Sequence, residues 1–493
     1  MTKQFTELLE ETNIYKNTEN GMLALNTTLS PFVDFMGNVL SYRDKPYVAI
    51  YREFNKAYNN DPLLAMKMLF YTRNIRGTGQ GERKAARAIY YYLAMYHTDV
   101  MEKNLDLIPV FGRYDDYYAF MNTPLEAAAL TKLKEAFFKD LNNPDDFDLS
   151  LVAKWLPSIN TSSLNARRLG RKTAKFFGLT EKEYRQKLSA LRKRLLVVER
   201  LMCLKQFPDI DFSAVPAKAM LNYHDAFMVH EENRFHEYLK ALEAGKTKVN
   251  AKTLYPYELI EEVIKIDYNN MVVARHDELV EKQWESLPNY IDGAYDCLIV
   301  ADTSGSMDGR PLAVALSLAV YFAERNQGVW HNKFITFSSR PEFITLSGHN
   351  LFEKLNGIPA IYDNTDIEKV FDLVLATAVK HKLKPEEIVK KIIIVSDMQF
   401  DCLKNNEQET KDLTKTMKER YQSFGYELPK LVYWDASGNY ANTFHAQKDE
   451  DGVAIVSGAN PSIFKQVISG QILSPEETVL DILSDSLFDV VKI

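Results

Sequence analysis

Asp302, Ser304 and Ser306 stand in the stretch Asp296-Cys-Leu-Ile-Val-Ala-Asp302-Thr-Ser304-Gly-Ser306-Met, a D-x-S-x-S cluster that closes an apolar strand pattern just before a helical one. A carboxylate and two hydroxyls on one tight turn offer hard oxygen ligands, which suit Mg²⁺ or Mn²⁺ far better than zinc or copper. Two more polar residues fall where an open α/β sheet would bring them alongside. Thr365 lies in Asn364-Thr365-Asp366, just ahead of the helical pattern Ile367, Val370, Phe371, Val374, Leu375, and Asp397 ends the strand pattern Ile392-Ile-Ile-Val-Ser396-Asp397. Ligands of such sheets bind outside the carboxyl ends of the strands, where strand order reverses, so five oxygen-bearing side chains are expected to converge. The plain alternative for residues 302–306 is a serine-rich helix-capping turn.

A second chemistry is written in charge. Residues 151–205 hold 14 basic and 3 acidic side chains, against a net charge of −7 for the chain. Clustered cations attract phosphate backbones whatever the total charge. Lys154, Arg167, Arg168, Arg171, Lys172 and Lys175 surround the polar segment Ser158 to Ser163, and Arg185 and Arg192 follow on the next helical pattern. Earlier in the chain Gly77-Thr-Gly79-Gln-Gly81 sits between Arg73, Arg76 and Arg83, Lys84, which makes it a phosphate-binding turn or a plain interhelical one. It is no Walker loop, because no Gly-Lys-Ser/Thr follows. In Phe111-Gly112-Arg113-Tyr-Asp115-Asp116, Gly112 is expected to end one helix and Asp115 or Asp116 to cap the next. Trp155 and Tyr184 are candidates for stacking on bases, although buried packing is the commoner use of single aromatics.

The elements that must position these residues differ along the chain. Residues 20–290 read almost wholly helical, with patterns at Leu63 to Phe70, Ala85 to Tyr96 and Leu125 to Phe137. Thr180 and Glu183 form a capping box, after which Tyr184, Leu188, Leu191, Leu195, Val198 and Met202 trace one apolar stripe. Helical pairs without a fixed period predict an α-solenoid of HEAT-like character. After Ser306 a helix with Pro311 near its start is expected, then a hairpin from Phe334–Phe337 to Phe343–Leu346, strands at Leu431–Trp434 and Val453–Val456, and a last helix entered at Ser474. Strands alternating with helices predict a doubly wound parallel sheet covered on both faces. At 493 residues, 46% hydrophobic and 26% charged, the chain reads as a globular protein of at least two domains. We place an all-α domain at 1–290 and an α/β domain at 291–493, with part of the connector Pro256–Tyr290 expected to pack against the helical domain. The first carries +2 and the second −9. The acidic opening segment is no signal peptide, and the longest apolar-rich run, Leu312–Ala323, is too short to span a membrane. Cys203, Cys297 and Cys402 share no metal or disulfide spacing, so a cytoplasmic location is expected.

The five oxygen-bearing residues, in this order and at these strand and helix ends, resemble the metal-ion-dependent adhesion site of von Willebrand factor A domains, whose fold is Rossmann-like. The resemblance implies that Ser304, Ser306 and Thr365 touch the metal, that Asp302 and Asp397 hold it through water and hydrogen bonds, and that one position stays open for a partner's carboxylate or a phosphate. The whole chain, a helical-repeat domain followed by such a domain, resembles the Ro autoantigen or TROVE-module proteins. It resembles more closely a related family found in bacteria, phages and plants, on Arg73-Asn-Ile-Arg76-Gly77-Thr-Gly79-Gln-Gly81-Glu82-Arg83, Phe111 to Asp116, Ala153-Lys154-Trp155-Leu156-Pro157, Tyr184 to Arg192 and Val215-Pro216. In Ro proteins the helical repeats close into a ring that binds single-stranded and structured RNA. The expectation is therefore a non-catalytic RNA-binding protein with a Mg²⁺-dependent partner site. Its RNA contacts are expected at Arg73, Arg76, Arg83, Lys84, Lys154, Arg167, Arg168, Arg171, Lys172, Lys175, Arg185 and Arg192. A metal-dependent protein-interaction scaffold without nucleic acid is the alternative. A phosphoesterase of the haloacid type is the weakest reading, since Ser304 stands where its second Asp is needed.

Overall fold

A computed structural model describes residues 14–76, 79–146, 148–195, 197–249, 254–289, 297–337, 340–360, 366–401, 413–459, 472 and 474–493. The short strands β1 (Tyr15–Asn17) and β2 (Leu23–Leu25) form an antiparallel hairpin, and β3 (Ile264–Ile266) pairs with β4 (Val272–Ala274) in another. Between them the described chain is helical, which matches the 3.6-residue spacing of its apolar residues. One continuous core runs from Phe32 to Leu191, through the helices Tyr47–Asn60, Pro62–Arg73, Arg83–Tyr96, Glu126–Asn142 and Leu164–Phe177. The capping box forms as read: Thr180 Oγ1 accepts from the Glu183 N–H and the Glu183 carboxylate from the Thr180 N–H. The apolar stripe does not continue as read. Its helix stops at Arg194, and Val198 belongs to a new helix, Val198–Cys203, whose core is a separate cluster with Phe207, Phe227 and Phe235.

The C-terminal part is a six-stranded sheet in the order β10-β9-β8-β5-β6-β7. Its members are β5 (Cys297–Asp302), β6 (Lys333–Phe337), β7 (Glu342–Thr345), β8 (Lys391–Ser396), β9 (Lys430–Asp435) and β10 (Val453–Ser457). All neighbours are parallel except the β6–β7 hairpin. The central strands are unbroken apolar runs because both of their faces are covered. Alternate residues sort by face, as the two-residue period demands. Ile299, Ala301, Ile393 and Val395 pack with the helix Arg310–Arg325, while Leu298, Val300, Ile392 and Ile394 pack with the helix Ile367–Lys380.

The two parts exchange their ends. The N-terminal hairpin joins the α/β part, with Leu25 and Phe444 trading backbone hydrogen bonds of 2.8 and 3.0 Å. The C-terminal helix Pro475–Leu483 and the turn after it join the helical core through Val479, Ile482, Leu483, Phe488 and Val491. Phe488 stacks on Phe111 with ring centroids 5.6 Å apart. The connector packs both ways. Its helix Pro256–Val263 packs on Arg310–Arg325 and Glu281 accepts the N–H groups of Leu351 and Phe352, while Leu279 enters the helical cluster of Phe207, Phe227 and Phe235 and Gln283 donates to the Ala217 carbonyl, as expected of part of this segment. Ser474 caps the C-terminal helix through the Glu477 N–H. Ser474→Ala is expected to cost about 1 kcal/mol, read by urea denaturation. Among the described residues no helix is long and apolar enough to cross a membrane.

Candidate functional site

Strand register assembles the acidic rim. Ala301 pairs with Val395 across β5–β8, and Ser396 pairs with Asp435 across β8–β9. Asp302, Ser396 and Asp435 therefore stand in a row at the carboxyl ends of three neighbouring strands, beside the point where strand order reverses. The Ser396 hydroxyl donates to Asp302 Oδ2 at 2.7 Å, and the Ser304 N–H donates to Asp302 Oδ1 at 2.9 Å, which fixes the turn. The Ser304 and Ser306 hydroxyls lie 3.1 Å apart on the exposed side of that turn. Asp397 follows β8 directly. Its Oδ1 accepts the Gln399 N–H at 3.0 Å, while its Oδ2 is buried and has no hydrogen-bond partner among the described residues. Burial, and then the Asp397 charge, push the Asp302 carboxyl up to about 6, against the lowering hydrogen bonds from Ser396 and Ser304. Burial also lifts Asp435 to about 6, with Asp397 adding to it. Thr365 lies outside the described residues.

This set fits a hard divalent cation. Two carboxylates and two hydroxyls face one rim, and a buried carboxylate oxygen without a donor is stabilised by positive charge. No group of three or more His, Cys, Asp or Glu among the described residues is arranged to hold a metal, so a cation here depends on the serine hydroxyls. Sequence reading missed the support of this rim. Asp435 ends an apolar strand just as Asp397 does, a signal that was legible. The N-terminal segment was not: Thr18 Oγ1 donates to the Phe400 carbonyl, the Glu19 N–H to Gln399 Oε1 and Asn20 Nδ2 to the Gln399 carbonyl, bracing the loop after Asp397.

The predicted basic residues divide among several places. Arg73 is 1% exposed and its Nε donates to Asp116 Oδ2 at 2.8 Å, so it does not face a ligand; this corrects the sequence reading. The N-cap of the turn Tyr114–Phe120 is Arg113, and Asp116, expected as the cap, sits at the third position of that turn, where it accepts the Arg113 N–H and is the fully buried partner of Arg73 and Arg87. The described residues of the glycine-rich turn pack at the junction of the two parts, and Gln80 and Gly81 also line a cavity there. A Cβ on Gly79 would lie 2.3 Å from Asn74 Cβ, and the neighbouring Gln80 is buried, donating to the carbonyls of Met36 and Ser457 at the junction of the two parts. Gly77 and Thr78 lie outside the described residues. Arg76 is exposed and donates to the Pro109 carbonyl. Arg83 and Lys84 border a cavity of about 320 Å³ beside Arg43 and Tyr257, where Lys84 donates to the Arg43 carbonyl.

Residues 151–205 present two faces. On the helix Leu164–Phe177, Arg171 pairs with Glu181 and Lys172 with Glu126, while Arg168 and Lys175 are exposed and Arg167 is half-buried. None of these five lines the main groove of this region. That cavity, about 1150 Å³, is a groove whose cations are Lys154, Lys182, Arg185, Arg192 and Arg200, with Glu199 its one acid. Lys182 and Arg200 were not singled out from sequence, although both lie inside the basic run. Arg192 is spent on structure: it donates to the carbonyls of Ala153 and Leu156 and to Ser158 Oγ, which shapes the groove wall. Tyr184 is buried with its hydroxyl on the Pro157 carbonyl, so it offers no stacking surface.

Residues 18–143 and 125–293 match the family described as Domain of unknown function (DUF2828). The chain belongs to the DUF2828 family. Residues 296–487 of this DUF2828 protein match a second description, Domain of unknown function (DUF7788). It is 30% identical over 523 aligned positions to the uncharacterized protein L728 of Acanthamoeba polyphaga mimivirus, covering 97% of this chain and 88% of that one. Among solved structures, the DUF2828 chain is similar to the crystal structure of Deinococcus radiodurans RO (RSR) protein, with 14% identity, coverage of 88% of this chain and 93% of that chain, and a TM-score of 0.36.

Proposed function

We propose that this DUF2828 protein binds RNA, single-stranded or small and structured, on its helical part, which is HEAT-like in character, and that its α/β part is a von Willebrand factor A-like domain with a Mg²⁺ site. The observation that carries the RNA reading is the groove: five cations and one acid border a space large enough for several nucleotides. The −9 of residues 291–493 repels a polyanion from the other part, which confines it to the helices. No catalytic step is assigned, and a cytoplasmic location belongs to the same proposal.

The test is charge reversal at groove cations that hold no structure. Lys182 and Arg185 are exposed and Arg200 half-buried, so Lys182→Glu, Arg185→Glu and Arg200→Glu together should leave the fold intact. If roughly four phosphates are contacted, log affinity falls with log salt at a slope of about −3, and the triple variant should flatten it to about −1 and lose roughly 100-fold or more in affinity. Filter binding at several salt concentrations reads both. Binding unchanged by the reversal would sink the groove assignment.

The second reading, a metal-dependent interaction scaffold, is favoured by the buried Oδ2 of Asp397, which has no hydrogen-bond partner among the described residues, and by the outward-facing hydroxyls of Ser304 and Ser306 on the same rim. In that reading Mg²⁺ or Mn²⁺ sits at Asp302, Ser304, Ser306, Thr365 and Asp397, and a partner's carboxylate completes its coordination. The two readings are compatible, because groove and rim lie on different parts of the chain.

A further inference from the structure

The groove is not simply a strip of positive charge. Its cations stand among apolar side chains, namely Trp155, Ile159, Leu188, Val197 and Leu204. A ligand that is charged along its whole length, such as polyphosphate, has no surface to set against them. A duplex has flat apolar faces but keeps them stacked inside and presents phosphate to the outside. A single strand presents both, phosphates on one side and unstacked bases on the other.

Trp155 is placed to receive one of those bases. The Arg113 guanidinium, itself half-buried, lies over its ring, 4.3 Å from the centre, and is not among the residues that line the groove. Lys154, which lines the groove, also lies over that ring, 5.9 Å from its centre, so a cation stands next to the indole on the groove lining. The indole is half-buried, and its N–H has no hydrogen-bond partner among the described residues, which leaves a donor free in the groove. An aromatic ring that lines a cationic groove, with cations packed on it, is a surface on which an unpaired base can stack.

We infer that the groove takes a single-stranded nucleic acid with its bases turned inward, one of them stacked on Trp155, and its phosphates on Lys154, Lys182, Arg185 and Arg200. This rests on the polyanion reading of the groove and narrows it to a ligand with unpaired bases.

Tryptophan fluorescence tests it directly. The chain has four tryptophans. Trp284, Trp330 and Trp434 are buried, so the response of solvent-accessible indole reports Trp155. A single-stranded oligonucleotide of about ten residues should quench that signal on saturation, while a duplex of equal length and polyphosphate of equal charge should not. Trp155→Leu should weaken the single strand by about 5- to 100-fold, leaving polyphosphate affinity within about twofold, and Trp155→Phe, which keeps a ring under Arg113, should recover most of the loss. The wild-type quenching experiment does not depend on how well either variant folds. Duplex or polyphosphate binding as tightly as the single strand, or a single strand that binds without quenching, would overturn the base platform and leave the polyanion reading standing. Failure of all three ligands to bind at low salt would overturn both.

Discussion

Asp116→Ala is expected to cost about 3–5 kcal/mol of stability, a large fraction of what a folded domain has to lose. Asp116 is fully buried and receives the Nε of Arg73 at 2.8 Å, the Nε of Arg87 at 2.7 Å and the Arg113 N–H at 2.9 Å. Arg87 keeps a second carboxylate, Asp115, when Asp116 is removed. Arg73 does not. Its guanidinium is out of water, its Nη2 already lacks a partner, and the variant would strand a whole charge in the core. Pairing the change with Arg73→Met, which removes the stranded charge, should restore most of the loss, because a buried ion pair is about neutral against an apolar replacement. Urea denaturation of the two variants decides the matter, and a cost under about 1 kcal/mol for Asp116→Ala would contradict it. The same geometry explains Gly112, where a Cβ would come 2.4 Å from Asp116 Oδ2. It also means that reversing Arg73 would test folding and not RNA binding.

In the presence of a chelator the protein should lose stability between about pH 4 and pH 7, and Mg²⁺ should return it. The direction follows from Asp302, whose carboxyl is pushed from 3.8 up to about 6 in the folded chain. The folded state then holds the proton more tightly than the unfolded one, so the contribution is fully present below about pH 4 and is lost as pH rises through 6. A shift of about two units corresponds to roughly 3 kcal/mol from this one buried group. Asp435 titrates in the same direction, and its partial exposure makes its share smaller. A divalent cation at the rim stabilises the ionised carboxylates, and so should raise the melting temperature at pH 7 and not at pH 4. Asp302→Asn should remove the larger part of the pH dependence, leaving the share of Asp435, and most of the Mg²⁺ response. Thermal melts at the two pH values, with and without Mg²⁺, give the answer. Equal stabilisation of wild type and Asp302→Asn by Mg²⁺ at pH 7 would place the cation elsewhere.

Local chemistry dictates a good part of this fold. Apolar runs ending in Asp302 and Asp397 are strands because nothing in them tolerates water on either face. The apolar patterns at Phe334–Phe337 and Phe343–Leu346 form the antiparallel β6–β7 pair. Thr180 and Glu183 start a helix because each satisfies an N–H that the first turn leaves bare. The helical and α/β halves, and the D-x-S-x-S turn at a strand end, were legible for these reasons. Only the tertiary structure decided the rest. A guanidinium reads the same in sequence whether it faces a groove, as Arg185 does, or a buried carboxylate 43 residues away, as Arg73 does. The glycine-rich turn carries the composition of an anion site but is packed between the two parts by Gln80, a contact 377 residues long in sequence. The stripe from Tyr184 to Met202 keeps its period across a helix break, since periodicity records which residues are apolar and not which core they enter. Ser396, Asp302 and Asp435 meet because strand register sets them level, and the termini change sides because each finds its apolar partners in the other part. Each of these is a long-range pairing, and a single chain read in order holds no record of which distant surface will cover a given residue.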